Sequence, residues 1–276
     1  MACAPSCWDW SGSLKNSPMT LFPVILPVAE DIDELPQGKQ TAFLSRVSRK
    51  ALKLSADKSR ITLGQLPQDE NGAPLPFDNH YWSVSHKPRY VAAVISADRV
   101  GIDIEEVKPR SESVLSYVAT EEEWKLCGGK SWDAFFRYWT AKEAALKAAG
   151  IGLGGLKACQ VISVPDETNV VLQYRDCVYQ VEQLRYNNHI VSVLKADSEV
   201  EWIILEVTGS SGRAIASPKR LPFGTQPDIL PRPVMRVGRS TSSTIAGGGQ
   251  PRLSQISWES SDCAHNTLKF YRAPLS

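Results

Sequence analysis

The chain has 276 residues, 42% of them hydrophobic and 22% charged, with a net charge of +1. That is a globular composition, with room for one large domain or two small ones. No apolar run approaches the ~18 residues of a membrane span, and residues 1–208 carry a net charge of −5, which leaves no nucleic-acid footprint there.

Residues 1–18 show no period and are rich in small and turn residues, so they are expected to be disordered; Met19 is a second candidate start. No basic region followed by a long apolar stretch opens the chain, so no signal peptide is expected. The first strand-like run is Thr20 to Val28. Gln37 to Ser55 follows as a helix, with Phe43, Val47, Ala51 and Leu54 repeating at spacings of three to four. Asp69 to Pro76 is a turn by composition. His80 to Val84 reads as a strand running into Ser85-His86-Lys87-Pro88. Tyr90–Ser96 and Arg99–Glu105 read as an antiparallel hairpin across Ala97-Asp98.

Within the second of these strands, Ile102-Asp103-Ile104-Glu105 alternates apolar and acidic residues. Successive strand side chains point to opposite faces, so Asp103 and Glu105 share one face, about 7 Å apart. Two hard oxygen ligands on a rigid face suit Mg²⁺, which takes one or two carboxylates and fills its shell with water and phosphate oxygens. The competing reading is an amphipathic strand with a solvated acidic face.

Ser111 to Cys127 holds two short helices, and Thr120 with Glu123 matches a capping box. A longer helix is expected from Trp132 to Ala149, with Ser131 as N-cap and Gly150 closing it. Phe135, Trp139, Lys142 and Leu146 lie on one side of it. Glu143 and Lys147, four apart, stack near the edge of that stripe. They suit a third metal ligand and a phosphate-binding ammonium, or else a plain solvated ion pair. After the glycine-rich exit Ile151–Gly155, five strands follow: Cys159–Val164, Val170–Tyr174, Val178–Leu184, Ile190–Leu194 and Glu201–Val207, read as an antiparallel meander. In residues 209–276, Gly, Pro, Ser and Thr make up 29 of 68 positions and the net charge is +6. That stretch is expected to be a disordered basic tail. The six cysteines are scattered, as reduced thiols of a cytosolic protein would be, and the four histidines form no zinc pattern.

Gly101-Ile-Asp-Ile-Glu105 and Trp139-Thr-Ala-Lys-Glu-Ala-Ala-Leu-Lys147 resemble the two signature motifs of the 4′-phosphopantetheinyl transferase superfamily. Ser85-His86 resembles its third. The order and spacing match, and the resemblance runs from about Thr20 to Val207. It implies an α+β fold of two similar halves in one chain, each a small antiparallel sheet packed with helices. The N-terminal half would be 19–98 and the C-terminal half, with the metal site, 99–208. The length resembles the larger, surfactin-type branch, whose members work as monomers.

The resemblance implies Mg²⁺-dependent transfer of 4′-phosphopantetheine from coenzyme A to a serine of an apo acyl or peptidyl carrier protein, in the cytoplasm. Asp103, Glu105 and Glu143 would hold the metal. Lys147 would neutralise phosphate charge, and Glu143 would take the serine proton. Ser85 and His86 would lie on the coenzyme A phosphates. Gly72 and Ala73 stand in a segment that resembles the family's Gly-Lys-Pro turn beside the adenine, with Ala73 in place of the lysine. A magnesium-dependent phosphohydrolase and a non-catalytic carrier-binding protein are the alternative readings.

Overall fold

In the computed structural model, which describes residues 19–28, 32 and 34–205, the expected first strand is broken at Phe22-Pro23. Its pieces are β1 (Thr20–Leu21) and β2 (Val24–Pro27). Helix α1 (Gln37–Ser59) starts after Pro36 and ends at Arg60 in the left-handed conformation. Strands β3 (Tyr81–His86) and β4 (Tyr90–Ser96) follow, then β5 (Ile102–Glu106). Two short helices, α2 (Leu115–Val118) and α3 (Glu121–Lys125), lead into α4 (Trp132–Ala149). The remaining strands are β6 (Cys159–Ser163), β7 (Asn169–Tyr174), β8 (Cys177–Tyr186), β9 (His189–Leu194), β10 (Glu199–Val200) and β11 (Ile203–Ile204).

The fold is mixed α/β. One sheet has the order β11-β2-β4-β3 and a second the order β5-β9-β8-β7-β6, while β1 and β10 pair apart from both. Alternation along β2 and β4 sends Val24, Leu26, Val91, Ala93 and Ile95 into a core with α1. The intervening Ile25, Ala92 and Val94 meet Ile102, Ile104, Val191 and Val193 of the second sheet. Helix α4 covers the far side of that second sheet, so the layers run α–β–β–α. Ile102, Ile104, Val191 and Val193 are fully buried; each such side chain contributes roughly 1.5–3 kcal/mol.

Two expected pairings are corrected. Tyr90–Ser96 and Arg99–Glu105 do not form a hairpin. Both edges of β4 are taken, by β2 and β3, and β5 pairs with β9. The hairpin is β3–β4, closed by hydrogen bonds between Lys87 and Tyr90. The Ser96 hydroxyl, accepting the amide of Asp98 at 3.1 Å, turns the chain away instead. The last segment also leaves the meander: β10 and β11 pair in parallel with β1 and β2. The sheets are therefore not wholly antiparallel, and the chain returns to the first sheet after completing the second. The expectations for residues 1–18 and 209–276 fall outside the described residues.

Candidate active site

β3 and β5 are edge strands of different sheets, and they meet through side chains rather than a ladder. The Ser83 hydroxyl accepts the amide of Ile102 at 3.1 Å, and the Ser85 hydroxyl donates to Asp103 Oδ1 at 2.7 Å. A free strand edge needs partners for its backbone groups, and β3 supplies hydroxyls. The apolar residues of β5 take the inter-sheet core, so Asp103 and Glu105 face α4, as the alternation predicts. Both are buried.

Helix α4 forms as its ends dictate: the Ser131 hydroxyl accepts the Ala134 amide, and Gly150 (φ 68°) closes the C-terminus. Its last turns cross β5 at Gly101, where a Cβ would lie 1.9 Å from the carbonyl oxygen of Ala144. Glycine lets helix and strand approach closely enough for Lys147 Nζ to donate to Asp103 Oδ1 at 2.7 Å and to the Ile102 carbonyl at 3.1 Å. Gly101→Ala should therefore push α4 off the strand. We expect a loss of at least about 2 kcal/mol by urea denaturation, in the upper range of overpacking penalties, with Lys147 drawn away from Asp103. Retention of full stability would mean the close approach is not needed.

The cluster is crowded with charge. Asp103 Oδ1 carries both Ser85 and Lys147, while Glu105 Oε1 pairs with Lys87 Nζ at 2.7 Å. Asp103 Oδ2 and Glu143 Oε1 are buried without a hydrogen-bond partner. Buried polar atoms are normally satisfied, so these two oxygens are aimed at something. Burial raises the pKa of Glu143 to about 7; Lys147 opposes the shift, and Asp103 and Glu105 add to it. Glu105 is also raised, first by burial, with Lys87 opposing. Lys147 is held above its ordinary value because Asp103, Glu143 and Glu105 together outweigh the lowering by burial. Removal from water lowers the pKa of His86, and Lys87 and Lys147 lower it further. A neutral imidazole at the end of β3 remains a hydrogen-bond donor.

Among the described residues, no three His, Cys, Asp or Glu side chains stand together as a ready-made metal cage. Mg²⁺ does not need one, since it keeps waters and substrate phosphate oxygens in its shell. The two unpartnered buried oxygens, on Asp103 and Glu143, are hard ligands of the right chemistry, and Glu105 adds a buried carboxylate two residues along β5 from Asp103. The residues present therefore fit a magnesium ion.

Six predicted residues, Ser85, His86, Asp103, Glu105, Glu143 and Lys147, are brought together. Gly72 and Ala73 are placed elsewhere: they form an exposed turn in which the Asp69 carboxylate accepts the amides of Asn71 and Ala73. Gly72 has φ +80°, a conformation that suits glycine. Their described bonds do not reach the carboxylates. Sequence reasoning assigned no role to Lys87 or Gly101. Lys142, on the apolar stripe of α4, is buried, donating to the Val118 carbonyl at 2.5 Å and to Glu123 Oε1 at 2.8 Å.

The chain thus has a mixed α/β fold with a buried acid–lysine centre. A family model for the 4′-phosphopantetheinyl transferase superfamily matches residues 99–194, which include β5 and α4. A Haemophilus influenzae protein that bears a 4′-phosphopantetheinyl transferase name is 30% identical over 172 residues, 59% of this chain and 72% of that one. The 4′-phosphopantetheinyl transferase of Bacillus subtilis is 25% identical over 124 residues, 44% of this chain and 55% of its own. The L-aminoadipate-semialdehyde dehydrogenase-phosphopantetheinyl transferase of Schizosaccharomyces pombe is 48% identical over 64 residues, 20% of this chain and 24% of its own. The chain belongs to the 4′-phosphopantetheinyl transferase superfamily. No helix among the described residues is long and apolar enough to cross a membrane.

Proposed function

We propose that this protein transfers 4′-phosphopantetheine from coenzyme A to a serine of an apo acyl or peptidyl carrier protein, with Mg²⁺. The products would be holo carrier protein and adenosine 3′,5′-bisphosphate. The observation that carries the reading is the convergence of Asp103, Glu105, Glu143 and Lys147, with two buried carboxylate oxygens left open. The names of the related proteins agree with it.

Asp103, Glu105 and Glu143 would hold the ion. When bound, Mg²⁺ would supply charge neutralisation to the pyrophosphate of coenzyme A. Lys147, fixed by Asp103 and the Ile102 carbonyl, keeps its ammonium at the phosphates. Ser85 and His86 align the phosphates from β3. Glu143 accepts the proton of the carrier serine, directly or through a water, as that oxygen attacks the β-phosphorus and the bond to the bisphosphate breaks. Glu143 must be ionised for either role, and Lys147 together with a nearby cation would favour ionisation. Positioning and electrostatics supply most of the rate in phosphoryl-type transfers. We place the protein in the surfactin-type branch, as a cytoplasmic monomer. Each sheet with its covering helix would then be one of two similar halves. Gly72 and Ala73 would lie near the adenine.

The test is the intact mass of an apo carrier protein incubated with this protein, coenzyme A and magnesium. A gain of the phosphopantetheine mass that EDTA abolishes is expected. Release of adenosine bisphosphate without carrier would instead favour a phosphohydrolase. At the residue level, His86→Ala should raise KM for coenzyme A about tenfold, the worth of one charge-assisted hydrogen bond, with little change in KM for the carrier. An unchanged KM for coenzyme A removes His86 from the site.

A further inference from the structure

Lys87 stands at the first position of the β3–β4 turn, where its amide and carbonyl both bond to Tyr90. That turn fixes the root of the side chain, while the four-carbon stem leaves the ammonium free to move. Its Nζ lies 2.7 Å from Glu105 Oε1, with 27% of the Lys87 side chain still exposed against 11% of Glu105. The cluster otherwise holds three carboxylates, Asp103, Glu105 and Glu143, and one further ammonium, Lys147. Arg110 adds a more distant positive charge to Glu105. Lys147 has two anchors, Asp103 Oδ1 and the Ile102 carbonyl. Among the described residues, Lys87 pairs through its side chain with Glu105 alone, and it does so from the solvent side.

We propose that Lys87 is an internal competitor for the divalent cation: it occupies Glu105 when the ion is absent and releases it when the ion binds. This rests on the metal reading given above. The competition sets the affinity of the site, because part of the energy of each incoming cation goes into displacing the ammonium. It also keeps the buried carboxylates partly neutralised in the empty protein, where an unpaired buried charge is costly. By reciprocity, the ion displaces Lys87 by the same factor as Lys87 weakens the ion. The released ammonium stands beside His86, where it can meet an anionic substrate.

The experiment is Mn²⁺ binding, followed by the loss of the free-ion electron paramagnetic resonance signal, without substrates. It uses the full chain as wild type, Lys87→Met, Lys87→Arg and Asp103→Asn. Lys87→Met should bind Mn²⁺ about five- to tenfold more tightly than wild type, the lower range of site–site couplings. Lys87→Arg, which keeps the cation, should not gain. Asp103→Asn should bind more weakly. If Lys87→Met binds no more tightly while Asp103→Asn is weakened, the competition is overturned and the metal reading stands. If Asp103→Asn binds like wild type, the metal reading itself fails and takes this proposal with it. Should Lys87→Met misfold, as judged by circular dichroism, amine labelling of wild-type Lys87 decides the matter. Labelling should rise on Mn²⁺ saturation, and no rise would overturn the proposal.

Discussion

Glu143→Gln should lower the transfer rate by at least about a thousandfold, the scale of removing a general base or a preorganised charge, while the protein unfolds within a few degrees of wild type. The two halves of this expectation come from one observation. Glu143 Oε1 is buried and accepts no hydrogen bond from the protein. That oxygen therefore adds no hydrogen bond to the fold, and exchange for an amide of the same shape leaves the packing of α4 intact. What disappears is a negative charge that faces the Lys147 ammonium and would serve an incoming cation or proton. Asp103→Asn provides the contrast. It should abolish activity too, but it also weakens the bonds from Ser85 and Lys147, both at 2.7 Å, so it should cost about 1–3 kcal/mol of stability. Turnover with excess carrier protein and denaturant melts of both variants decide the matter. A Glu143→Gln enzyme that keeps more than about a tenth of its rate would dismiss Glu143 as base and as ligand alike.

The parts of this site that were legible in the sequence are those governed by short-range periodicity. The alternation in Ile102–Glu105 names the face of the acids because a strand has period two. The ends of α4 are visible because Ser131 and Gly150 have chemical reasons to stand there. The Thr120–Glu123 capping box is present with both of its bonds. What was illegible depends on neighbours distant in the chain. Strands β10 and β11 have two residues each, too few to show a period, and their partners lie near the start of the chain. The partner of β5 is β9, about 90 residues on, and adjacency in sequence suggested β4 instead. Lys87 reaches Glu105 only because β3 and β5 meet at their edges, which no local pattern encodes. Lys142 carries a signal of its own: it sits on the apolar stripe of α4, and a lysine there is buried only if something answers its charge.

What answers it is Glu123, and its removal should be the most damaging single change to stability outside the site. Glu123 Oε2 accepts the Thr120 amide at 2.8 Å, the local capping bond. Glu123 Oε1 accepts Lys142 Nζ and the amide of Val161, each at 2.8 Å. The Glu123 carbonyl accepts the Tyr138 hydroxyl at 2.7 Å. One residue of a five-residue helix thus ties α3 to α4 and to β6, in a place where Lys142 has only 2% of its side chain exposed. Glu123→Ala strands that ammonium with a single carbonyl partner and leaves two amides unsatisfied. Breaking one side of a buried ion pair costs about 3–5 kcal/mol, or roughly 6–20 °C in Tm for a domain of this size. Lys142→Met should cost less, because Glu123 keeps its two amide donors. In the double variant Glu123→Ala/Lys142→Met the losses should fall short of their sum by at least about 1 kcal/mol, as expected for groups in one network. Strict additivity in urea denaturation would sever the pair. Lys142 is the residue next to Glu143, so the same contact that holds α4 against α2 and α3 also fixes the turn from which Glu143 meets Asp103 and Glu105. Rate loss in Lys142→Met at a temperature where the variant is fully folded would therefore reflect displacement of Glu143. An unaltered rate there would confine the pair to holding the fold.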